Sequence, residues 1–198
     1  MKALKITGIV IGSVVGLVVI TAAAIFILMG RPSGISSRMT NVVSSPEAAK
    51  TFDTKWDNFN NSINAAPAGT TVTMNLTQEE VTSKINEEIK TVQLPEGLTM
   101  GNVTVNLVDG KLMLSSDVKY SALQGNAGME LQIETVNGTP SLVVKDIDMG
   151  MLPIPQALKD KLTDMIPANG VIGLNDLPID ITGIQIINGK IVMAGIKK

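Results

Sequence analysis

Few side chains in this sequence could do covalent or acid–base work. The chain of 198 residues has no Cys and no His. That removes thiol nucleophiles, Ser-His-Asp relays, disulfides and the usual zinc ligand sets. Carboxylates remain. Asp146 and Asp148 stand two apart, so on a strand they share a face. Such a pair suits a cation or acid–base catalysis. It equally suits the wet face of a strand, and Glu130, Gln132 and Glu134 on the preceding strand favour that plainer reading. Asp176 and Asp180 flank Leu177-Pro178-Ile179, where loop capping explains them. Glu79, Glu80, Glu87 and Glu88 read as helix-surface charges. Asn169-Gly170-Val171-Ile172-Gly173 lacks both the Lys and the strand-to-helix setting of a phosphate loop. No catalytic residue, metal ligand or cofactor is therefore expected. An enzyme, if this were one, would be a carboxylate-based hydrolase with two acids converging in a cleft.

The balance of composition points elsewhere. Hydrophobic residues make up 44% and charged residues 17%, the mix of a folded chain. Aromatics are 3%, too few for carbohydrate or single-strand nucleic-acid stacking platforms. Residues 31–198 hold 14 Lys+Arg and 18 Asp+Glu, a net charge of −4 with no basic patch, which argues against nucleic acid.

Residues 6–29 form an uncharged apolar run of 24, preceded by Lys2 and Lys5 and followed by Arg31. A helix of that length spans about 36 Å, more than a bilayer's hydrocarbon core. A cleaved signal peptide has a shorter apolar stretch ending at small residues. Here Ala22-Ala23-Ala24 is followed by five more apolar residues, so the run reads as an uncleaved, single-pass anchor in the cell membrane. The short basic amino-terminal tail places that terminus inside and the carboxy-terminal domain outside. Gly8, Gly12 and Gly16 line one helix face, where a membrane-helix partner or a second copy in a homodimer could approach closely. Glycine is also simply common in such helices.

The expected organisation is a tail and anchor over 1–30, a Ser/Gly-rich linker over 31–45 and one domain over 46–198. Ser45-Pro46-Glu47 starts a helix as N-cap, first-turn Pro and first-turn acid. Phe52, Trp56, Phe59 and Ile63 make its apolar stripe, and its acidic polar face favours packing on the domain over lying on a membrane. A strand over 71–76 leads to Thr77-Gln78-Glu79-Glu80, a capping box. Val81, Ile85 and Ile89 then mark a second helix to about Lys90. Val103, Val105 and Leu107 alternate with polar residues, and Asp109-Gly110 turns the chain into Leu112 and Leu114. Met129, Leu131 and Ile133 alternate likewise. Asn137-Gly138 leads into a strand through Val143, Lys145, Ile147 and Met149. Leu158, Leu162, Met165 and Ile166 suggest a third helix after Pro153 and Pro155, and 167–177 a loop. A last hairpin turns at Asn188-Gly189. The fold class is α+β: a curved antiparallel sheet, a meander of hairpins, wrapped around amphipathic helices and preceded by a transmembrane helix.

This order of elements, with Leu76-Thr77-Gln78-Glu79-Glu80 opening a helix and Gly150-Met151-Leu152-Pro153-Ile154-Pro155 before another, resembles the YpmS-like proteins of Gram-positive bacteria and, more distantly, the LmeA-like envelope proteins. The resemblance covers roughly residues 70–198 and implies a tubular lipid-binding type of fold with an extracytoplasmic role in handling lipid. It carries no functional-residue motif.

Read together, these features suggest a membrane-anchored extracytoplasmic module that binds lipid or another acyl-chain ligand. The chain would lie between the inner sheet face (Val103, Val105, Leu107, Leu112, Leu114, Met129, Leu131, Ile133) and the helix stripe Val81, Ile85 and Ile89. The rival is an envelope interaction or assembly protein with a solid core and no ligand.

Overall fold

A computed structural model describes residues 34–91, 94, 96–120, 123–136, 139–148, 171–173 and 178–198. The expected anchor over 6–29, its glycine face and the expected third helix lie outside these residues. No helix among the described residues is long and apolar enough to cross a membrane.

Helix α1 spans Pro46–Ala65 and starts as its sequence dictates: the Ser45 hydroxyl accepts the Ala48 N–H and Pro46 occupies the first turn. Phe52, Trp56, Phe59 and Ile63 are all buried, so this stripe is core. Strand β1, Thr71–Thr77, alternates exposed and buried residues. It runs without a loop into helix α2, Gln78–Glu88, whose capping box is complete: Thr77 Oγ1 accepts the Glu80 N–H and Glu80 accepts the Thr77 N–H. The helix ends earlier than the expected Lys90. Ile89 lies instead in a 3-10 turn over Ile89–Thr91.

Seven further strands follow: β2 (Leu98–Val108), β3 (Lys111–Tyr120), β4 (Leu123–Val136), β5 (Thr139–Asp148), β6 (Val171–Gly173), β7 (Ile179–Ile187) and β8 (Lys190–Lys197). Two hairpin turns form as expected from Asp-Gly and Asn-Gly. Asp109 and Gly110 have φ of 51° and 77°, Asn188 and Gly189 of 51° and 70°. Residues 171–173, expected within a loop, are strand β6 and pair with β5. The strand expected through Val143, Lys145 and Ile147 is present as β5, and a bulge at Glu130/Leu131 shifts its register so that Val143 stands opposite outward Gln132.

The strands make two antiparallel sheets, not the one long sheet expected: β1-β8-β7 and β2-β3-β4-β5-β6. The physical reason lies at the free edge of β2. Gln78, Thr82 and Asn86, spaced four apart, lie on one face of α2 and bond to alternate backbone groups of β2. Asn86 accepts the Val103 N–H and donates to the Val103 carbonyl, both at 2.7 Å. Thr82 Oγ1 accepts the Val105 N–H at 3.0 Å and donates to its carbonyl at 3.4 Å. Gln78 Oε1 accepts the Leu107 N–H at 3.5 Å. Four helical residues rise about 6 Å and two strand residues about 6.7 Å, so the periods nearly match. The small mismatch accumulates, and the bonds lengthen in that order. A helix occupies the place of the next strand.

The strap from Gly34 to Ser45, expected as a free linker, is docked on the outer face of this sheet. Ile35 is 1% exposed and Val42 is buried. Thr40 donates its N–H to Asn106 Oδ1 and accepts from Asn106 Nδ2.

Asn86→Ala should leave both polar groups of Val103 buried without partners. We expect a loss of about 2–4 kcal/mol, read by urea unfolding of the full chain through its single Trp. A loss near zero would mean the edge is held some other way.

Candidate functional site

The ladder on β2 sets the roll of α2, and the roll decides what faces the interior. Val81 and Ile85 each precede a ladder residue by one position. They are therefore about 100° around the helix from it, turned over the inner face of the sheet. The strand registers bring the sheet residues into rows: Val105 opposite Leu114 opposite Met129, and Leu107 opposite Leu112 opposite Leu131. Val81, Ile85, Val103, Val105, Leu107, Leu112, Leu114, Met129 and Leu131 all belong to one buried cluster, and Ile89 and Ile133 pack half-buried against it. Thus the eleven apolar residues singled out from the sequence do converge.

This interior is closed at its centre. Val105, Leu114 and Leu131 are 0% exposed, covered by protein side chains alone. Ile89, Leu94, Met100, Ile133, Ile181 and Ile184 pack half-buried against the cluster. Strand β7, which carries Ile181 and Ile184, comes against β5 and β2 at the seam between the two sheets.

Charged groups fasten the two helices to each other. Lys84, with only 10% of its side chain exposed, meets Asp53 of α1 at 2.9 Å, Glu87 at 2.9 Å and Glu88 at 3.2 Å. Burial alone would lower its pKa, but hydrogen bonds to the three carboxylates outweigh this and raise it above the ordinary value. Lys55 of α1 reaches Glu80 at 2.9 Å, so the capping carboxylate of α2 also ties the two helices together.

Of the acid pair weighed from the sequence, only the Asp146 side chain lies among the described residues. Asp146 is exposed on β5, opposite Glu130 on β4. The side chain of Asp148 and the whole of Asp176 lie outside the described residues, and Asp180 is exposed and paired with Lys198. Glu130 is buried, not solvated as expected, because the strap covers it. One of its oxygens takes Lys111 at 2.8 Å and the other Arg38 at 3.6 Å. Among the described residues no group of three carboxylates converges as metal ligands would. Two donors on α1, Trp56 Nε1 and Asn60 Nδ2, are buried without an acceptor. Both atoms lie under protein with almost no accessible surface, which leaves no room for a ligand atom beside them.

Sequence reasoning missed Gln78, Thr82 and Asn86 as a functional set. Their signal was present: three hydrogen-bonding side chains at i, i+4 and i+8. A solvated polar face has the same spacing, so periodicity alone does not distinguish the two.

No protein-family model, curated protein or solved structure matches this chain.

Lys84→Met should cost about 1–2 kcal/mol, between an exposed and a fully buried ion pair. A Lys whose folded pKa is raised stabilises fully below its unfolded value, near 10.4, and loses that stabilisation as pH rises through the folded value. The difference between wild type and Lys84→Met should thus stay level from neutral to mildly alkaline pH and shrink only under stronger alkali. A difference that fades near neutrality would contradict the assigned partners.

Proposed function

We propose that this chain is a membrane-anchored extracytoplasmic module that binds an acyl chain, of a lipid or a similar ligand. One observation supports this most: the aliphatic faces of α2 and of β2, β3 and β4 converge on a single interior with half-buried aliphatic residues packed against it. A methylene group gains about 0.8 kcal/mol by leaving water for apolar surface. The fully covered centre offers no such surface. The half-buried residues Ile133, Ile181 and Ile184 do, and they are the proposed seat. The anchor over 6–29 would hold the seat beside its lipid source, and the Gly8/Gly12/Gly16 face would serve a membrane-helix partner or a second copy.

A second reading has its own observation. Complete burial of Val105, Leu114 and Leu131 by protein suits a solid core, and hence an interaction or assembly protein that acts through its surface.

Photoactivatable, clickable fatty acid fed to cells making the full chain separates the two. The first reading expects cross-links on peptides carrying Ile133 and on those carrying Ile181 and Ile184, reduced several-fold by Ile133→Ser. Cross-links confined to residues 6–29, which any anchor would collect from the surrounding bilayer, favour the second.

A further inference from the structure

The strap that joins the anchor to the domain is short at one end and tightly held at the other. Gly34 begins it, and its carbonyl accepts bonds from Ser37 Oγ and Arg38 Nε. Ile35 is buried, Arg38 reaches Glu130 on β4, and Thr40 is locked to Asn106 on β2. Beyond β2, the Ser45 N–H donates to Ser83 of α2. The strap therefore crosses the outer face of the sheet from β4 to β2, over the half nearer the β2–β3 turn. Only four residues, 30–33, lie between Met29 and Gly34. Fully extended, the five Cα–Cα steps from Met29 to Gly34 reach about 18 Å. A domain so held has little freedom to turn about its tether.

We propose that the β2–β3 turn, on the sheet face crossed by the strap, rests on the phospholipid headgroups of the bilayer that holds the anchor. The inference rests on the tethered reading above and adds an orientation to it. Val108 and Lys111 stand opposite each other across the turn, on the same face as Asn106, Met113 and Glu130. The strap leaves them open: Val108 is 43% exposed and the Lys111 side chain 41%. An aliphatic tip beside a Lys stem suits the boundary between headgroups and water. Such a contact is weak for a free protein. Tethering raises the local concentration to about the millimolar range, where weak contacts are occupied. Charge distribution points the same way. Residues 46–97, which hold both helices, carry 4 Lys and 8 Asp+Glu. Anionic headgroups repel that layer and leave the strap face toward the membrane.

Because the chain has no Cys, single cysteines can be placed cleanly. Val108→Cys is compared with Lys119→Cys, eight residues along β3 from Lys111 and about 27 Å away at the usual strand rise. Each full-length variant carries an environment-sensitive fluorophore in vesicles of zwitterionic and anionic phospholipid containing a headgroup spin label. Quenching at position 108 should be several-fold stronger than at 119. Equal quenching at both positions, in protein that resists alkaline carbonate extraction, overturns the orientation and leaves the tether standing. Release of the chain by carbonate removes the tether, and the orientation with it.

Discussion

Three side chains of one helix hold a strand edge that no other strand pairs among the described residues, and much of the domain follows from that contact. An open edge exposes backbone N–H and C=O groups that must be satisfied or left to water. Here Asn86, Thr82 and Gln78 satisfy those of Val103, Val105 and Leu107 from one side. The ladder stops the five-stranded sheet at β2. It fixes the roll of α2, which turns Val81 and Ile85 inward and leaves Lys84 to meet Asp53 on α1. It also ties the start of α2 to the other sheet, since the Gln78 N–H donates to Gly189 in the β7–β8 turn. One polar contact thus organises an apolar interior. It is a demanding arrangement, because each buried group is costly once its partner is lost.

The outer face of the same sheet is treated in an unusual way. A one-sided antiparallel sheet keeps its polar face in water. Here the strap buries part of that face, and Asn106, Ser115 and Glu130 go with it. They remain tolerable because they are bonded: Asn106 to Thr40, Ser115 to Asn126, Glu130 to Lys111 and Arg38. These contacts specify where the strap lies. An apolar strip alone would allow it to slide, whereas an amide that both donates to and accepts from Thr40 fixes one register.

Much of the fold was legible in the sequence where a local rule decides the outcome. Ser45-Pro46 and the Thr77/Glu80 box mark the helix starts, because capping is a matter of a few neighbouring atoms. Asp109-Gly110 and Asn188-Gly189 mark turns, because positive φ restricts residue type. The alternation through Val103–Leu107 and Met129–Ile133 reveals the inner face. What was not legible depends on distant pairing. Nothing in residues 71–77 says that their partner is β8, at the other end of the chain. Nothing in Gly34–Ser45, read alone, separates a Ser-rich linker from a strap, since its holding groups lie at Asn106 and Glu130. Strand β6 is three residues long, too short for a period. The candidate interior was found because burial follows pattern. The ladder was not found, because a polar helix face facing a strand edge and one facing water share the same spacing.

The closed centre bears on any lipid role. Close-packed interiors resist insertion, since parting side chains already in contact forfeits dispersion and opens surface on both sides. An acyl chain that threaded between Val81 and Ile85 of α2 and the sheet residues Val105 and Leu114 would have to separate α2 from the sheet. That would break the Asn86 and Thr82 bonds to β2, which run parallel to the same interface. Among the described residues, no such ladder runs along the seam between the sheets. There β7 comes against β5, and Ile181 and Ile184 are already half-open. Widening that seam strains side-chain packing but cuts no hydrogen-bonded edge of β2. On the proposed lipid reading, the ladder that shapes the interior would therefore keep an acyl chain out of its centre and leave the half-buried residues of β7 as the place to receive it.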